Sequence, residues 1–133
     1  FIPVWVWTEF FINNIEGHEH IILDGVSRRL HEAQLIDSAL NFYKRSEPTV
    51  LFLEVSDSWA IDKLEKRGKD NTDNVDRKED RGDGIKKRVA WYEENVLPAI
   101  QFFKNNPYYK FISINGEQSI EDVHKEILEK VGV

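Results

Sequence analysis

Thr49-Val50-Leu51-Phe52-Leu53-Glu54-Val55 is the run that decides the fold. It is β-branched and apolar, interrupted only by Glu54, and shows no alternation of polar and apolar residues. Such a run predicts a strand buried on both faces, as parallel sheets require. Ser56 or Asp57 then caps a helix through Trp59, Ile61 and Leu64 to Arg67. On the other side, Leu30, Ala33, Ile36, Leu40 and Tyr43 recur at helical spacing and stop before Pro48. The same helix–strand–helix rhythm extends outward. Ile21-Ile22-Leu23 predicts a strand stopped by Asp24-Gly25, and Phe111 to Ile114 a third strand. Val4 to Ile15 predicts an aromatic-rich first helix with Pro3 in its first turn.

From about Asp83 a helix carries the stripe Ile85, Val89, Tyr92, Val96, Ile100 and Phe103, with a kink expected at Pro98. Ser119 and Asp122 form a capping box before a last helix lined by Ile120, Val123, Ile127, Leu128 and Val131. Gly68 to Gly82 is polar and aperiodic, a loop. The order α-β-α-β-α-loop-α-β-α predicts an α/β fold, a parallel sheet with helices on both faces. It predicts one partial core domain over 1–133, with a short lid inserted at about 68–82. Three strands make a thin sheet, and the first helix has no strand before it. The chain opens Phe1-Ile2-Pro3 and contains no Met, so further strands are expected upstream of Phe1.

The chain has 133 residues and a net charge of −6, which disfavours a binder of nucleic-acid polymers. The distribution is more telling. Between Lys63 and Arg88 there are ten Lys/Arg against seven Asp/Glu, which leaves the remainder at −9. A cationic island on an acidic body suits a compact anion such as a nucleotide phosphate. Cysteine is absent, so disulfides and thiolate metal sites are excluded. No apolar run approaches membrane-spanning length. These features fit a soluble cytoplasmic protein.

Several residues can carry chemistry. Asp24-Gly25-Val26-Ser27-Arg28 follows a predicted strand, which puts Asp24 and Arg28 at the carboxyl edge of the sheet, where ligands of such folds sit. An arginine there grips phosphate through forked, charged hydrogen bonds, and an aspartate holds magnesium through water. The same residues also read as an Asx-type turn with a solvated arginine. Arg67, Arg77 and Arg88 flank the polar loop, which can fold over a ligand or remain a salt-bridged surface. Glu79 and Asp80 are placed to pair with these arginines or to be plain surface acids. His18 and His20 read as loop residues. No phosphate-cradling Gly-x4-Gly-Lys run occurs in these residues.

These motifs together resemble the adenylate kinase family of nucleoside monophosphate kinases over nearly the whole chain. Asp24-Gly25-Val26-Ser27-Arg28 resembles the family's Asp-Gly-Phe-Pro-Arg, with Glu32-Ala33 where Gln-Ala is usual. Lys63 to Arg67 resembles the Arg-x-x-x-Arg at the start of the lid. Arg77-Lys78-Glu79-Asp80 resembles Arg-x-Asp-Asp, with Arg88 at the family's spacing beyond. Pro98 with Phe102-Phe103, and Ile114-Asn115-Gly116 with Val123, resemble the later motifs.

The resemblance implies a fold of the P-loop kinase type and reversible phosphoryl transfer between ATP and AMP, with Mg2+ bound alongside ATP. It implies that Arg28 binds the phosphate of the monophosphate, that Arg67, Arg77 and Arg88 close over the phosphates, and that the four guanidinium groups gather on one anion. It implies that Asp24 positions the magnesium shell through water. Ile2, Gly25 and Glu32 would bind the monophosphate, and Lys63 with the Gly116-Glu117-Gln118 turn the ATP base. It places the family's phosphate-binding loop before Phe1, so residues 1–133 alone are expected to have little activity. Ser27, Glu32 and Lys63 depart from the family pattern. They keep two alternatives open: a non-catalytic nucleotide-binding or regulatory module, and a kinase for another monophosphate. Lys63 has no plane with which to stack, unlike arginine.

Overall fold

The structure is a computed structural model that describes residues 2–69 and 80–132. Its elements are α1 (Ile2–Asn14), α2 (Leu30–Phe42), β1 (Thr49–Glu54), α3 (Asp57–Lys69), α4 (Asp83–Trp91), α5 (Leu97–Asn105), β2 (Lys110–Asn115) and α6 (Ile120–Val131). They divide between two compact units, Phe1–Pro48 with Asn95–Tyr109 and Thr49–Glu94 with Lys110–Val133.

The second unit contains the sheet. β1 and β2 pair in parallel from Thr49 with Lys110 to Glu54 with Asn115. Phe52 and Phe111 are neighbours across the pair, ring centroids 6.0 Å apart, and Ile114 is fully buried. Helices flank this sheet, so the α/β class holds. Where α6 packs on β2, Lys130 donates to the Ser113 carbonyl at 2.7 Å and ion-pairs with Glu126. A lysine clasping a strand carbonyl blunts it as a site for pairing with another chain. β1 is left barer than its composition predicts: Leu51 is 42% and Leu53 51% exposed. The β2–α6 turn closes against the end of β1, where the Gly116 amide donates to the Glu54 carbonyl at 2.9 Å. A methyl group on Gly116 would lie 2.7 Å from Val55 Cγ1, so a side chain there would require Val55 to shift. Ser119 caps α6 as expected, accepting from the Asp122 amide at 3.1 Å. Val123, Ile127 and Val131 turn inward, but Ile120 is exposed.

The first unit is helical. α2 buries Ala33, Ile36 and Leu40, the middle of the predicted stripe, and packs on α5, where Ala99 is buried. α1 buries Trp7 and Phe11, and Phe11 meets Tyr43 edge-on. Asp37 on α2 accepts from the Tyr109 hydroxyl at 3.0 Å and from Asn106 Nδ2 at 3.2 Å. Burial, then the carboxylate of Asp37, pushes the Tyr109 hydroxyl far above its usual pKa, so it remains a donor. The Tyr108 hydroxyl donates to the Arg45 carbonyl. The Arg45 side chain in turn holds the loop after α1 through the Glu19 carboxylate (2.8 Å) and the Glu19 carbonyl (2.9 Å).

Glu19 is therefore a pH-sensitive clasp. Hydrogen bonds from the Glu16 and Gly17 amides, with Arg45 beside it, lower its carboxyl from 4.5 to about 2. A carboxyl lowered on folding adds stability above its unfolded pKa and loses it as pH falls through the folded one. The melting temperature is expected to fall between pH 4.5 and about 2, and Glu19→Gln to flatten that decline. Melts recorded at a series of pH values on both proteins check this.

Two sequence expectations are corrected. Ile21–Leu23 forms no strand, and Ile22 is 93% exposed. A strand exists only against a partner, and no described residue pairs with it; β-branched composition alone is not enough. Asp24 and Arg28 consequently lie in the helical unit, in coil, rather than at a sheet edge. Around Pro98 the long predicted helix is divided: a π-helical turn, Tyr92–Val96, precedes α5, and Pro98 sits in the first turn of α5. Pro98 lacks the N–H that a continuous helix would use, and one wider turn absorbs the mismatch. Tyr92, a member of the predicted stripe, is 37% exposed.

Candidate functional site

The cationic island centres on one buried acid. Asp80 is fully buried, while Arg67, in the last turn of α3, and Arg88, on α4, are each 46% exposed at the side chain. Arg67 Nε donates to Asp80 Oδ2 at 2.6 Å, and Arg88 Nη1 donates to Asp80 Oδ1 at 3.1 Å. A buried carboxylate is tolerable only with such charged partners. Each of its oxygens holds one guanidinium, so two cations that would repel each other are fixed together with their outer parts toward water. Two guanidinium groups held on one carboxylate, each partly open to water, are donors of the kind that phosphate accepts from.

Gly68 makes this approach possible. It is buried, and a side chain on it would collide with the Asp80 carbonyl. Arg81 Nε donates to the Gly68 carbonyl at 2.5 Å, a second tie between the end of α3 and the segment before α4. Neither the glycine nor this tie is apparent from spacing. The only signal is a glycine near the end of a helix beside two cations.

A second feature lies at the carboxyl ends of the strands. A cleft of about 600 Å3 is lined there by Glu54, Ser56, Asn115, Glu117, Glu126 and Lys130, among others. The Glu117 carboxylate accepts from the Ser56 amide at 2.7 Å. That bond holds the Glu117 carboxyl below the usual range and joins the β1–α3 turn to the β2–α6 turn. Gly116 turns the chain here, and Gln118 Nε2 donates to the Asn115 carbonyl and the Glu126 carboxylate. Lys63 is exposed on α3, its ammonium 4.9 Å from the centre of the Trp59 ring.

The remaining candidates lie in the helical unit. Gly25 has φ +61°, where only glycine is at ease, and Arg28 Nε donates to its carbonyl at 3.2 Å. Arg28 is exposed, as is Asp24. Glu32 Oε2 accepts from the Arg28 and Arg29 amides at 2.8 and 3.1 Å, so this side chain caps α2. Ile2 begins α1. Arg77 lies outside the described residues, as does most of the expected lid.

Glu16, His18 and Glu19 bring possible metal ligands within 4.8 Å of one another in an exposed loop. The Glu19 oxygens there are already taken by amides and Arg45. Among the described residues no helix is long and apolar enough to cross a membrane.

No protein-family model matches the chain. Individual relatives do. It is 30% identical over 111 residues to an adenylate kinase of Thermosynechococcus vestitus, covering 84% of this chain and 56% of that protein. It is 31% identical over 115 residues to an adenylate kinase of Prochlorococcus marinus, covering 86% and 58%. A uridylate kinase of Saccharomyces cerevisiae is 25% identical over 122 residues, covering 90% and 54%. The chain thus spans a little over half the length of these curated relatives. Taken with the parallel sheet and its flanking helices, these matches show what the chain is similar to: nucleoside monophosphate kinases, over most of its own length.

Proposed function

We propose that the full protein carrying this chain moves a phosphoryl group between ATP and a nucleoside monophosphate, AMP in the first instance. The observation that carries this reading is the grip of buried Asp80 on both Arg67 and Arg88. Phosphoryl transfer asks little covalent chemistry of a protein. It asks for positioning, for positive charge where the equatorial oxygens gather negative charge, and for exclusion of water. A guanidinium pair set in advance on a buried acid supplies charge without reorganisation.

In this reading Arg67, Arg77 and Arg88 stabilise the transferring group, and Arg28 takes the phosphate of the monophosphate. Magnesium arrives with ATP as part of that substrate. Asp24, an exposed carboxylate, is a suitable hard-oxygen partner for its water shell. Lys63 and the Gly116-Glu117-Gln118 turn take the side of the ATP base, and Ile2, Gly25 and Glu32 that of the monophosphate. The bare face of β1, with Leu51 and Leu53 about half exposed, supports coverage of that face by a further segment of the full protein. A parallel sheet is ordinarily covered on both faces.

One observation favours a different acceptor. Glu32 Oε2 is committed to capping α2, and a carboxylate accepts but does not donate, so it reads a base less fully than glutamine. The test is a coupled assay of the full protein with ATP and, in turn, AMP, CMP, UMP and GMP. Turnover with AMP in front supports the proposal. Another acceptor in front gives the related kinase, and nucleotide binding without turnover on any acceptor gives the non-catalytic module.

A further inference from the structure

Trp59, Lys63 and Arg67 recur four residues apart on α3 and therefore share one face of that helix. Both ends of the row are tied. Arg67 is held by Asp80. At the other end the Trp59 amide donates to Ser56 Oγ at 3.3 Å, and Ser56 lines the cleft at the strand ends. Between them the Lys63 ammonium stands over the Trp59 ring at 4.9 Å. At 1.5 Å per residue the row is about 12 Å long, about the reach from the base to the last phosphate of an extended nucleoside triphosphate. It passes from an aromatic plane through an ammonium to a guanidinium pair, the order in which such a molecule presents base and then phosphates.

We propose that Trp59 is the stacking surface for the base of the phosphoryl donor and the residue that sets how strictly that donor is chosen. The inference rests on the kinase reading above and adds to it a residue that the family motifs quoted earlier do not include. The ring is half-buried, so it is braced from within and open in part. Lys63 cannot stack, but its ammonium can rest on an indole. An exposed contact of that kind is weak, and a base stacking on an aromatic ring outweighs it. An arriving base displaces the ammonium, which is then free to turn to phosphate. A π-face accepts any base, so the donor site is tolerant: ATP and GTP bind within a few-fold of each other.

The test measures ATP and GTP affinity by calorimetry on the full protein and on Trp59→Leu, Trp59→Phe and Lys63→Met, together with tryptophan emission during titration. Trp59→Leu is expected to weaken both triphosphates alike, by about tenfold, and to leave AMP binding unchanged. Trp59→Phe keeps a ring and loses less affinity, but loses most of the nucleotide-induced quenching. That readout stands even where the leucine variant does not fold. ATP bound as tightly by Trp59→Leu as by the unaltered protein, or quenching that survives in Trp59→Phe, overturns the proposal while leaving the kinase reading intact. A sharp loss in Lys63→Met with none in the Trp59 variants also overturns it. Failure of the unaltered protein to bind either triphosphate defeats both.

Discussion

Arg88→Ala in the full protein is expected to lower turnover by about 10³-fold, the scale seen when a charge-stabilising arginine is missing from phosphoryl transfer. The melting temperature should move by only a few degrees. Arg88 is nearly half exposed and takes no part in the apolar packing of α4, where Ile85 is the buried residue. Its removal leaves Asp80 still bonded to Arg67, so the buried acid keeps a cationic partner. Arg88→Lys restores charge without the planar fork and should recover only part of the rate. Coupled kinetics beside a thermal melt check this. A large loss of stability with activity preserved would mean that Arg88 is there to hold the fold.

Asp80→Asn is expected to damage both properties. Removing one partner of a fully buried ion pair costs roughly 3–5 kcal/mol. Here the two guanidinium groups are half exposed and can turn to water, so about 2 kcal/mol is a better figure. The larger effect is on geometry. Without the carboxylate the bonds that set Arg67 and Arg88 side by side are lost, and misplacement on the scale of an ångström costs about 10²-fold in rate. Asp80 acts through the arginines, so kcat should fall while KM for the monophosphate changes little. Combining Asp80→Asn with Arg88→Ala should cost far less than the two losses added, because both break one network. Additive losses would show that Asp80 and Arg88 act separately.

How much of this was legible in the sequence depends on what each feature needs from elsewhere. Thr49–Glu54 and Lys110–Asn115 are readable because their partners lie within the described chain and pair with each other. Ile21–Leu23 has equally suitable composition and forms no strand, since pairing belongs to two segments and composition to one. The α2 stripe and the Ser119 cap are local patterns, and they appear where spacing puts them. Pro98 announces a break in its helix, but the form of the break, a π turn one step earlier, depends on how the surrounding turns pack.

At the site, Asp80 is readable only as one of two acids near the arginines. Its burial, which turns an ordinary ion pair into a fixed one, comes from tertiary packing. Gly68 is invisible for the same reason: what excludes a side chain there is the Asp80 carbonyl, twelve residues on. Glu32 shows the opposite error. Its position resembles a base-reading glutamine, yet its carboxylate accepts from the Arg28 and Arg29 amides at the start of α2, a bond set by local backbone geometry. Trp59 at four residues before Lys63 is plain in the sequence, and gains meaning only when the ammonium is found over the ring.

The guanidinium pair held by Asp80 either serves phosphoryl transfer or only braces the fold. Phosphorus NMR of the full protein with ATP, magnesium and AMP measures it directly. The expected result is steady conversion to ADP, with the ADP signals growing beyond the amount of protein present, and slowed at least a hundredfold in Asp80→Asn. Stable, unchanged ATP and AMP signals from a folded protein that calorimetry shows to have bound both nucleotides would contradict it.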